Sequence, residues 1–378
     1  MTKKKRIGYV SGQDPFNDRR AWSGSVFNLR QAIEKAGYEV VWVPYHMDRL
    51  KERALRVGHK LLFGLEATHV HTRLYNKGMA ASIDKSIVNN CDILFFPGAA
   101  AIGYFLKTDK PIIYLADGTY KIMLDYYWHN IRSWAVKEGN MIEQLGISTA
   151  KINIRASQWA ADSTINDYHA SPDHTYVLEF GANIDDKDIL RSLTYGGGKL
   201  RILFSGVDWH RKGASIAIET VDILNERGID TELLMAGLKS IPPEYENHPH
   251  VTNLGFLNKN NPEQYKQYVE TIRQSHLLLL PTKAECAGIV FSEAAAYGLP
   301  TYTYLTGGTG NYVIDGVNGY ALPLTATAKD FADAIESSLG SEQQRKLQEG
   351  ALKMYRERLS WDAWARRFRE IIEREFPE

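Results

Sequence analysis

The stretches RIGYVSG (Arg6–Gly12) and KLRILFSG (Lys199–Gly206) decide the fold of this chain. Each is an apolar run without regular polar alternation that ends in glycine, which is typical of a buried parallel strand. Each is followed by a polar loop and by apolar residues at helical spacing, and the two helices end at Gly37 and Gly228. The same strand–loop–helix pattern therefore begins twice, once in each half of the chain.

Further apolar runs extend both patterns into sheets, namely YEVVWVPY (38–45), CDILFFPG (91–98), PIIYLADGT (111–119), TELLMAG (231–237) and HLLLLPT (276–282). We predict an α/β protein with two facing Rossmann-like domains and an interdomain cleft, because ligands bind at the carboxyl ends of parallel strands. The predicted domains are 1–190, joined by a C-terminal helix at 360–378, and 191–359. The segment LTYGGGK (193–199) has the composition of a hinge or linker.

Composition excludes several classes of protein. The chain has 378 residues, 44% apolar and 24% charged, and a formal net charge of zero, which gives no support for binding nucleic acid. Only Cys91 and Cys286 are present, and no stretch has the character of a signal peptide or a transmembrane span. We expect a cytoplasmic protein. The basic cluster Lys3–Arg6 is a solvated strand start or a peripheral contact with the inner face of a membrane.

The stretch KAECAGIVFSEAAAYGLP (Lys283–Pro300) carries two glutamates around an apolar run. The pattern predicts a helix from about Ile289 to Tyr297, with Gly298 as its C-terminal cap. Glu285 then lies in the preceding loop and Glu293 about one turn inside the helix. Both glutamates either contribute ordinary surface and helix-dipole polarity or hold one ligand whose anionic part sits at the helix N-terminus, near Gly288.

Two other loops follow predicted strands or open predicted helices. In SGVDWHRKG (205–213), Arg211 and Lys212 form a solvated basic pair or neutralise a diphosphate that leaves during a reaction. In WSGS (22–25), Gly24 serves an ordinary turn or lets the backbone approach a ligand closely. Tyrosines and tryptophans of the first domain, including Tyr114, Tyr120 and Trp128, are packing residues or a stacking surface for a sugar.

The ordered set of motifs resembles one enzyme family. The chain is similar to the retaining GT-B glycosyltransferases of family 4, with their E-x7-E signature, through the stretches WSGSVFNL, SQWAADSTINDY, VLEFGANID, FSGVDWHRKG, ECAGIVFSE and TGGTGNYVIDGVNGYALP. The resemblance covers nearly the whole chain in the family's order.

The resemblance implies roles for individual residues. Glu285 would bind hydroxyls of the donor sugar, and Glu293 would hold the ribose of the nucleotide. The other implied donor contacts are Lys212 with the diphosphate, backbone N–H groups of Gly288, Ile289 and Val290 with sugar or phosphate, Phe256 and Leu257 with the base, and Gly24 on the phosphate side.

Two positions depart from the family pattern. Val207 stands where many members have arginine, and Arg211 is the candidate to replace that charge. Asp117 stands where many members have a histidine after the strand PIIYLAD, so it would bind a sugar hydroxyl or the reacting face without acting as a neutral donor.

The activity implied is transfer of a sugar, with retention of configuration at its anomeric carbon, from a UDP- or GDP-sugar to a hydroxyl of a sugar or lipid-linked sugar. The product would belong to glycan or surface polysaccharide synthesis. The leaving diphosphate would take the acceptor's proton, and neither a cofactor nor a metal is expected. We interpret Asp186–Asp188, a D-x-D string, as a helix start or linker. The competing hypotheses are a nucleotide-sugar 2-epimerase and a non-catalytic two-domain protein that binds a sugar or nucleotide.

Overall fold

The computed structural model describes residues 4–63, 67–190, 192, 194–340 and 342–377. Lys3 of the basic cluster and Leu193 of the glycine-rich segment lie outside this range. The chain forms two compact units: unit 1 comprises Met1–Leu178 with Ala365–Glu378, and unit 2 comprises Glu179–Trp364.

Unit 1 contains a six-stranded parallel sheet in the order β2-β1-β3-β4-β5-β6. Its strands are β1 Arg6–Ser11, β2 Glu39–Pro44, β3 Ile93–Pro97, β4 Ile112–Ala116, β5 Ile152–Arg155 and β6 Thr175–Val177. Its helices are α1 Ser25–Lys35, α2 Arg49–Phe63, α3 Arg73–Ala81, α4 Lys85–Asn89, α5 Ala101–Leu106, α6 Tyr120–Met123, α7 Ser133–Thr149 and α8 Gln158–Asn166, with 3-10 turns at Ala21–Gly24, Ala67–His71 and Pro172–His174.

Unit 2 contains a second six-stranded parallel sheet, in the order β12-β11-β10-β7-β8-β9. Its strands are β7 Leu200–Ser205, β8 Thr231–Ala236, β9 Val251–Gly255, β10 Leu277–Leu280, β11 Thr301–Tyr304 and β12 Gly319–Leu322. Its helices are α9 Ala214–Glu226, α10 Pro262–Gln274, α11 Ile289–Tyr297, α12 Ala328–Ser338 and α13 Glu342–Met354, with a π-helical turn at Tyr355–Leu359 and 3-10 turns at Asp186–Asp188, Pro243–Tyr245 and Thr309–Asn311. The last helix of the chain is α14, Trp361–Glu375.

The apolar runs form the central strands because both of their faces are covered. All residues of β4 and β10 are buried, and so are the residues of β1 after Arg6. Parallel strands with this burial lack polar alternation. The predicted pattern of two α/β sheets is therefore confirmed.

The units divide after Leu178 and after Trp364, whereas the sequence places the divisions at 190/191 and 359/360. Glu179 packs with unit 2 because its buried carboxylate pairs with Arg358 and accepts a hydrogen bond of 3.1 Å from Asn311 Nδ2. The glycines at 196–198 lie inside unit 2, directly before β7.

Each sheet has one point where the strand order reverses. In unit 1 this switch point lies between β1 and β3, and in unit 2 it lies between β7 and β10. The loops that leave two neighbouring strands in opposite directions form a crevice at such a point, which is where open α/β sheets bind ligands. The strand order therefore brings the loops after β7 and β10 together, although they are far apart in the sequence.

Candidate functional site

The loops after β7 and β10 are joined in unit 2 by hydrogen bonds. The backbone N–H of Lys283 donates to the carbonyl of Arg211 at 2.7 Å, and the hydroxyl of Thr282 lies 3.3 Å from the same carbonyl oxygen. Gly206 allows this arrangement, because a Cβ at that position would lie 2.7 Å from Cγ of Lys212. The loop after β7 can therefore direct the side chain of Lys212 toward the loop after β10.

Lys212 and Glu285 form a buried ion pair at this crevice. Arg211 lies beside it, with Nη1 3.9 Å from Oε2 of Glu285 and 3.0 Å from the carbonyl oxygen of Ala284, to which it donates. Two cations therefore surround one carboxylate at the ligand end of the sheet. Val207 is exposed and contributes no charge, so Arg211 and Lys212 are the cations of this loop that face Glu285.

Glu293 lies in α11, which spans the predicted residues. Its buried carboxylate accepts a hydrogen bond of 2.6 Å from the hydroxyl of Tyr268 and pairs with Lys259. Burial raises the pKa of Tyr268, and the adjacent carboxylate raises it further, so the hydroxyl keeps its proton. Neither Tyr268 nor Lys259 is recognisable from the sequence as a partner of Glu293, because nothing in α10 or in the loop before it indicates proximity to α11.

The N-terminus of α11 has Gly288 as its capping residue, and no side chain caps it. The first N–H groups of a helix have no acceptor within the helix. A Cβ at position 288 would lie 2.3 Å from the ring of Phe291, so only glycine fits there without rearrangement. The N–H groups of Ile289 and Val290 therefore stand at the positive end of a helix, between Glu285 and Glu293 in the sequence.

Phe256 and Leu257 follow β9, the edge strand of this sheet. The side chain of Phe256 is 48% exposed, with the ammonium of Lys239 5.9 Å from its ring centroid, while Leu257 packs against the core of unit 2. The structure places both residues at the carboxyl end of the sheet. Their predicted contact with a base stays a prediction.

In unit 1, Gly24 and Asp117 lie in one region. Gly24 caps α1 with a φ of 95°, and the two preceding residues also have positive φ, 50° at Trp22 and 56° at Ser23. Positive φ is uncommon for residues other than glycine, and such strain concentrates at functional sites. The indole N–H of Trp22 donates to Oδ2 of Asp117 at 3.3 Å. The glycine loop and the loop after β4 are therefore linked by a polar contact.

A cavity of about 400 Å³ lies beside this contact, inside unit 1. Its lining includes Trp22, His71, Asp117, Tyr120, Trp128 and Glu143. Three of these rings form one cluster, in which the centroid of His71 lies 4.8 Å from that of Tyr120 and 5.1 Å from that of Trp128. Tyr114, Tyr120 and Trp128, the aromatic residues that the sequence offers as packing residues or a stacking surface, therefore line the cavity. Tyr104, another aromatic residue of the first domain, is on the surface.

The polar groups of the cavity come from several elements. The hydroxyl of Tyr114 donates to Glu143 at 3.0 Å, and Arg155 Nη2 lies 3.9 Å from the same carboxylate. Burial raises the pKa of Glu143, while Arg155 opposes the shift. Within the described residues, Nδ1 of His71 is a buried atom without a hydrogen-bond partner. Such an atom is uncommon in folded proteins and is a candidate to bind a ligand hydroxyl.

Burial of His71 makes the stability of unit 1 depend on pH. Burial, with smaller effects of His69 and His59, lowers the pKa of His71 from 6.5 to about 4. Between these values the unfolded chain binds a proton that the folded chain does not, so stability falls as the pH falls. When the pH falls from 7 to 5, the wild type should lose up to about 2 kcal/mol of its free energy of unfolding through His71. The His71→Gln variant should not show this loss.

Urea unfolding at the two pH values measures this difference. His210→Gln, at an exposed histidine in unit 2, is the matched control and should keep the wild-type pH dependence. If the stability of His71→Gln depends on pH as that of the wild type does, His71 is not the cause of the pH dependence.

The D-x-D string Asp186–Asp188 forms a 3-10 turn, and Asp188 accepts a hydrogen bond of 3.0 Å from the hydroxyl of Tyr265. Across the described part of the chain, no group of three or more His, Cys, Asp or Glu side chains is placed to hold a metal ion.

The segment that contains the crevice of unit 2 is similar in sequence to a known protein family. Residues 185–354 match the family of glycosyl transferases group 1. The match covers less than half of the chain and includes Lys212, Glu285 and Glu293. The D-inositol 3-phosphate glycosyltransferase of Corynebacterium aurimucosum is 27% identical over 248 residues, which are 61% of this chain and 58% of that protein.

Solved structures extend the likeness in fold to both units. The sucrose-phosphate synthase of Thermosynechococcus elongatus has a TM-score of 0.71 at 17% identity and covers 99% of both chains. Anabaena HepE in complex with UDP has a TM-score of 0.66 at 14% identity, over 98% of this chain and all of the other. The fold is that of the GT-B glycosyltransferases, with two Rossmann-like domains. The curated protein named above is a glycosyltransferase, and this chain spans little more than half of its length.

Proposed function

We propose that this chain is a retaining glycosyltransferase that moves a sugar from a UDP- or GDP-sugar to a hydroxyl acceptor in glycan or surface polysaccharide synthesis. The observation that carries the proposal is the cluster of Arg211, Lys212 and Glu285 at the switch point of unit 2, beside the N-terminus of α11. The relative with a TM-score of 0.66 was solved with UDP, which supports a nucleotide donor.

The cluster suits the charges of a nucleotide-sugar. The diphosphate would compete with Glu285 for the ammonium of Lys212, and Arg211 and the N–H groups of α11 would share the remaining charge. Glu285 would then be available to hydroxyls of the donor sugar, and Glu293 to those of the ribose. Neutralisation would come from these groups rather than from a bound metal ion.

The proposed reaction needs no strong base from the protein. The bond between the anomeric carbon and the diphosphate oxygen breaks, and the acceptor oxygen bonds to the same face of that carbon. The acceptor's proton passes to the leaving diphosphate, whose negative charge Lys212 and Arg211 stabilise. The protein contributes positioning and charge stabilisation.

A nucleotide-binding experiment tests the donor site. We expect one nucleoside diphosphate at about 100 times its Kd to raise the Tm by about 5 °C, and EDTA to leave the increase unchanged. Glu293→Ala should lose the increase, because the proposed ribose contact is gone. Glu270→Ala, at a surface glutamate of α10 paired with Arg273, is the matched control and should keep it.

Other outcomes would contradict the proposal. If no nucleotide shifts the Tm at millimolar concentration, the donor site is wrong and a binding protein for another ligand becomes the better hypothesis. If the protein converts a nucleotide-sugar into its epimer without an acceptor, the 2-epimerase is correct.

We further propose that the cavity of unit 1 receives the acceptor and that the acceptor's reactive end is an uncharged sugar. Aromatic faces suit the apolar face of a sugar ring, and Asp117, Glu143 and His71 suit its hydroxyls. Among the described residues, the lining contains no lysine or arginine. A phosphate group would therefore meet the carboxylates of Asp117 and Glu143 without a cation in the lining, because Arg155, which lies 3.9 Å from Glu143, is not a lining residue.

A comparison of free sugars with their phosphate esters as acceptors tests the proposal that the acceptor is uncharged. With one donor, free sugars should be glycosylated at least about tenfold more efficiently than their phosphate esters. Preference for the phosphate ester would contradict the neutral acceptor. Hydrolysis of the donor without acceptor, measured as slow release of the nucleoside diphosphate, reports on the donor site alone. If hydrolysis occurs but the free sugars are not preferred, the neutral acceptor is wrong and the donor site stands.

A further inference from the structure

Helix α2 (Arg49–Phe63) has an apolar face that points to solvent. Leu50, Val57 and Leu61 are 76%, 48% and 76% exposed, and Ala54 between them is also exposed. With 3.6 residues per turn, these four residues fall within about 60° of one another around the helix axis. Single exposed leucines are ordinary on a protein surface, but an aligned stripe about 16 Å long is not.

The side of α2 centred on His59 faces the protein, although Leu62 near the end of the helix is 55% exposed. His59 is buried, and Leu55 and Glu52 are half-buried. The helix is therefore packed through a second face, and the stripe of Leu50, Ala54, Val57 and Leu61 is additional to the contacts that hold the helix in place.

Cations border the stripe. Arg49, Arg53, Arg56 and Lys60 are exposed and fall in one row along one side of it, and Lys51 is exposed on the other side. The helix carries five lysine and arginine residues against one acid, Glu52, in a chain whose formal net charge is zero. Positive charge is therefore concentrated around the apolar stripe.

We propose that α2 docks unit 1 on the surface of an anionic lipid bilayer. An apolar stripe flanked by cations lets a helix lie in the membrane interface, with the leucines among the acyl chains and the lysines and arginines at the headgroups. A planar anionic surface can satisfy the whole row of cations at once, whereas a protein groove would need a matching row of acids. Within the described residues, no helix is long and apolar enough to cross a membrane.

This surface differs from the basic cluster at Lys3–Arg6, and it brings no residue of the candidate site into the contact. The inference does not depend on the transferase activity. If the acceptor is lipid-linked, the same surface would hold unit 1 where such acceptors lie.

Co-sedimentation with vesicles of phosphatidylcholine, with and without an equal amount of phosphatidylglycerol, tests the proposal on the full chain. We expect binding to the anionic vesicles in 0.1 M NaCl, weaker binding in 0.5 M NaCl, and little binding to phosphatidylcholine alone. The double variant Leu50→Asp, Leu61→Asp should bind at least about tenfold more weakly. A second variant, Arg53→Glu with Arg56→Glu, should show a similar loss through charge alone.

Leu324→Asp is the matched control, because Leu324 is an exposed leucine of unit 2 outside α2, and it should bind as the wild type does. Circular dichroism and the Tm confirm that each variant is folded. Equal binding of the α2 variants and the wild type would overturn the proposal, as would absence of binding to anionic vesicles. A concentration-dependent dimer that Leu61→Asp abolishes, without vesicle binding, would show that a second copy covers this face.

Discussion

Replacement of Lys212 by methionine is expected to lower the rate of sugar transfer about 10³-fold, because the developing charge on the leaving diphosphate loses its proposed ammonium partner. Methionine keeps most of the length and volume of lysine, so the loss reports the charge. The same change should lower the free energy of unfolding by about 3 kcal/mol, because the buried carboxylate of Glu285 loses the close ion pair with Lys212 and keeps the longer one, 3.9 Å, with Arg211.

The two effects can be separated. In the double variant Lys212→Met, Glu285→Gln, the buried side chain at position 285 carries no charge, so most of the lost stability should return while transfer stays low. Lys199→Met removes a half-exposed partner of Asp230 and is the control, with little effect on either quantity. Steady-state transfer rates and urea unfolding measure the outcome. Normal transfer by folded Lys212→Met would remove Lys212 from the proposed mechanism.

Replacement of Gly213 by alanine is expected to lower the free energy of unfolding by about 3–5 kcal/mol, the largest effect on stability predicted here. Gly213 caps α9 with a φ of 73°, and a Cβ there would lie 2.1 Å from the carbonyl oxygen of Pro281. That carbonyl belongs to the loop after β10, so the added methyl group would push apart the two loops that hold Lys212 and Glu285.

Gly228→Ala is the matched control. Gly228 also has a positive φ, 84°, but a Cβ there would meet no atom within 4 Å. Alanine at this position should cost about 1–2 kcal/mol, from the backbone conformation alone. Urea unfolding of both variants measures the difference, and nucleotide binding should weaken only in Gly213→Ala. Equal destabilisation by the two substitutions would show that the loop after β10 yields to the added methyl group.

Much of the local structure is readable from the sequence. Helix α11 begins at Ile289 and ends at Tyr297, as the glycines on either side of it predict, and β1 and β7 follow from their apolar runs. These signals are local: a strand buried on both faces needs a continuous apolar run, and a left-handed cap such as Gly298 favours glycine. The resemblance of the loops to a family then identified the candidate donor residues.

The sequence alone placed neither Tyr268 nor Lys259 beside Glu293, nor Tyr114 and Arg155 beside Glu143. These partners come from different elements, and the order of strands in each sheet decides which loops and helices meet.

The apolar and basic spacing of α2 was likewise present in the sequence, because helical period depends only on the order of residues. Its exposure was decided by tertiary packing. A helix has two sides, and the burial of His59 on one of them left Leu50 and Leu61 on the other. Local periodicity specifies which residues share a face, whereas the contacts of the folded chain select the face that is covered.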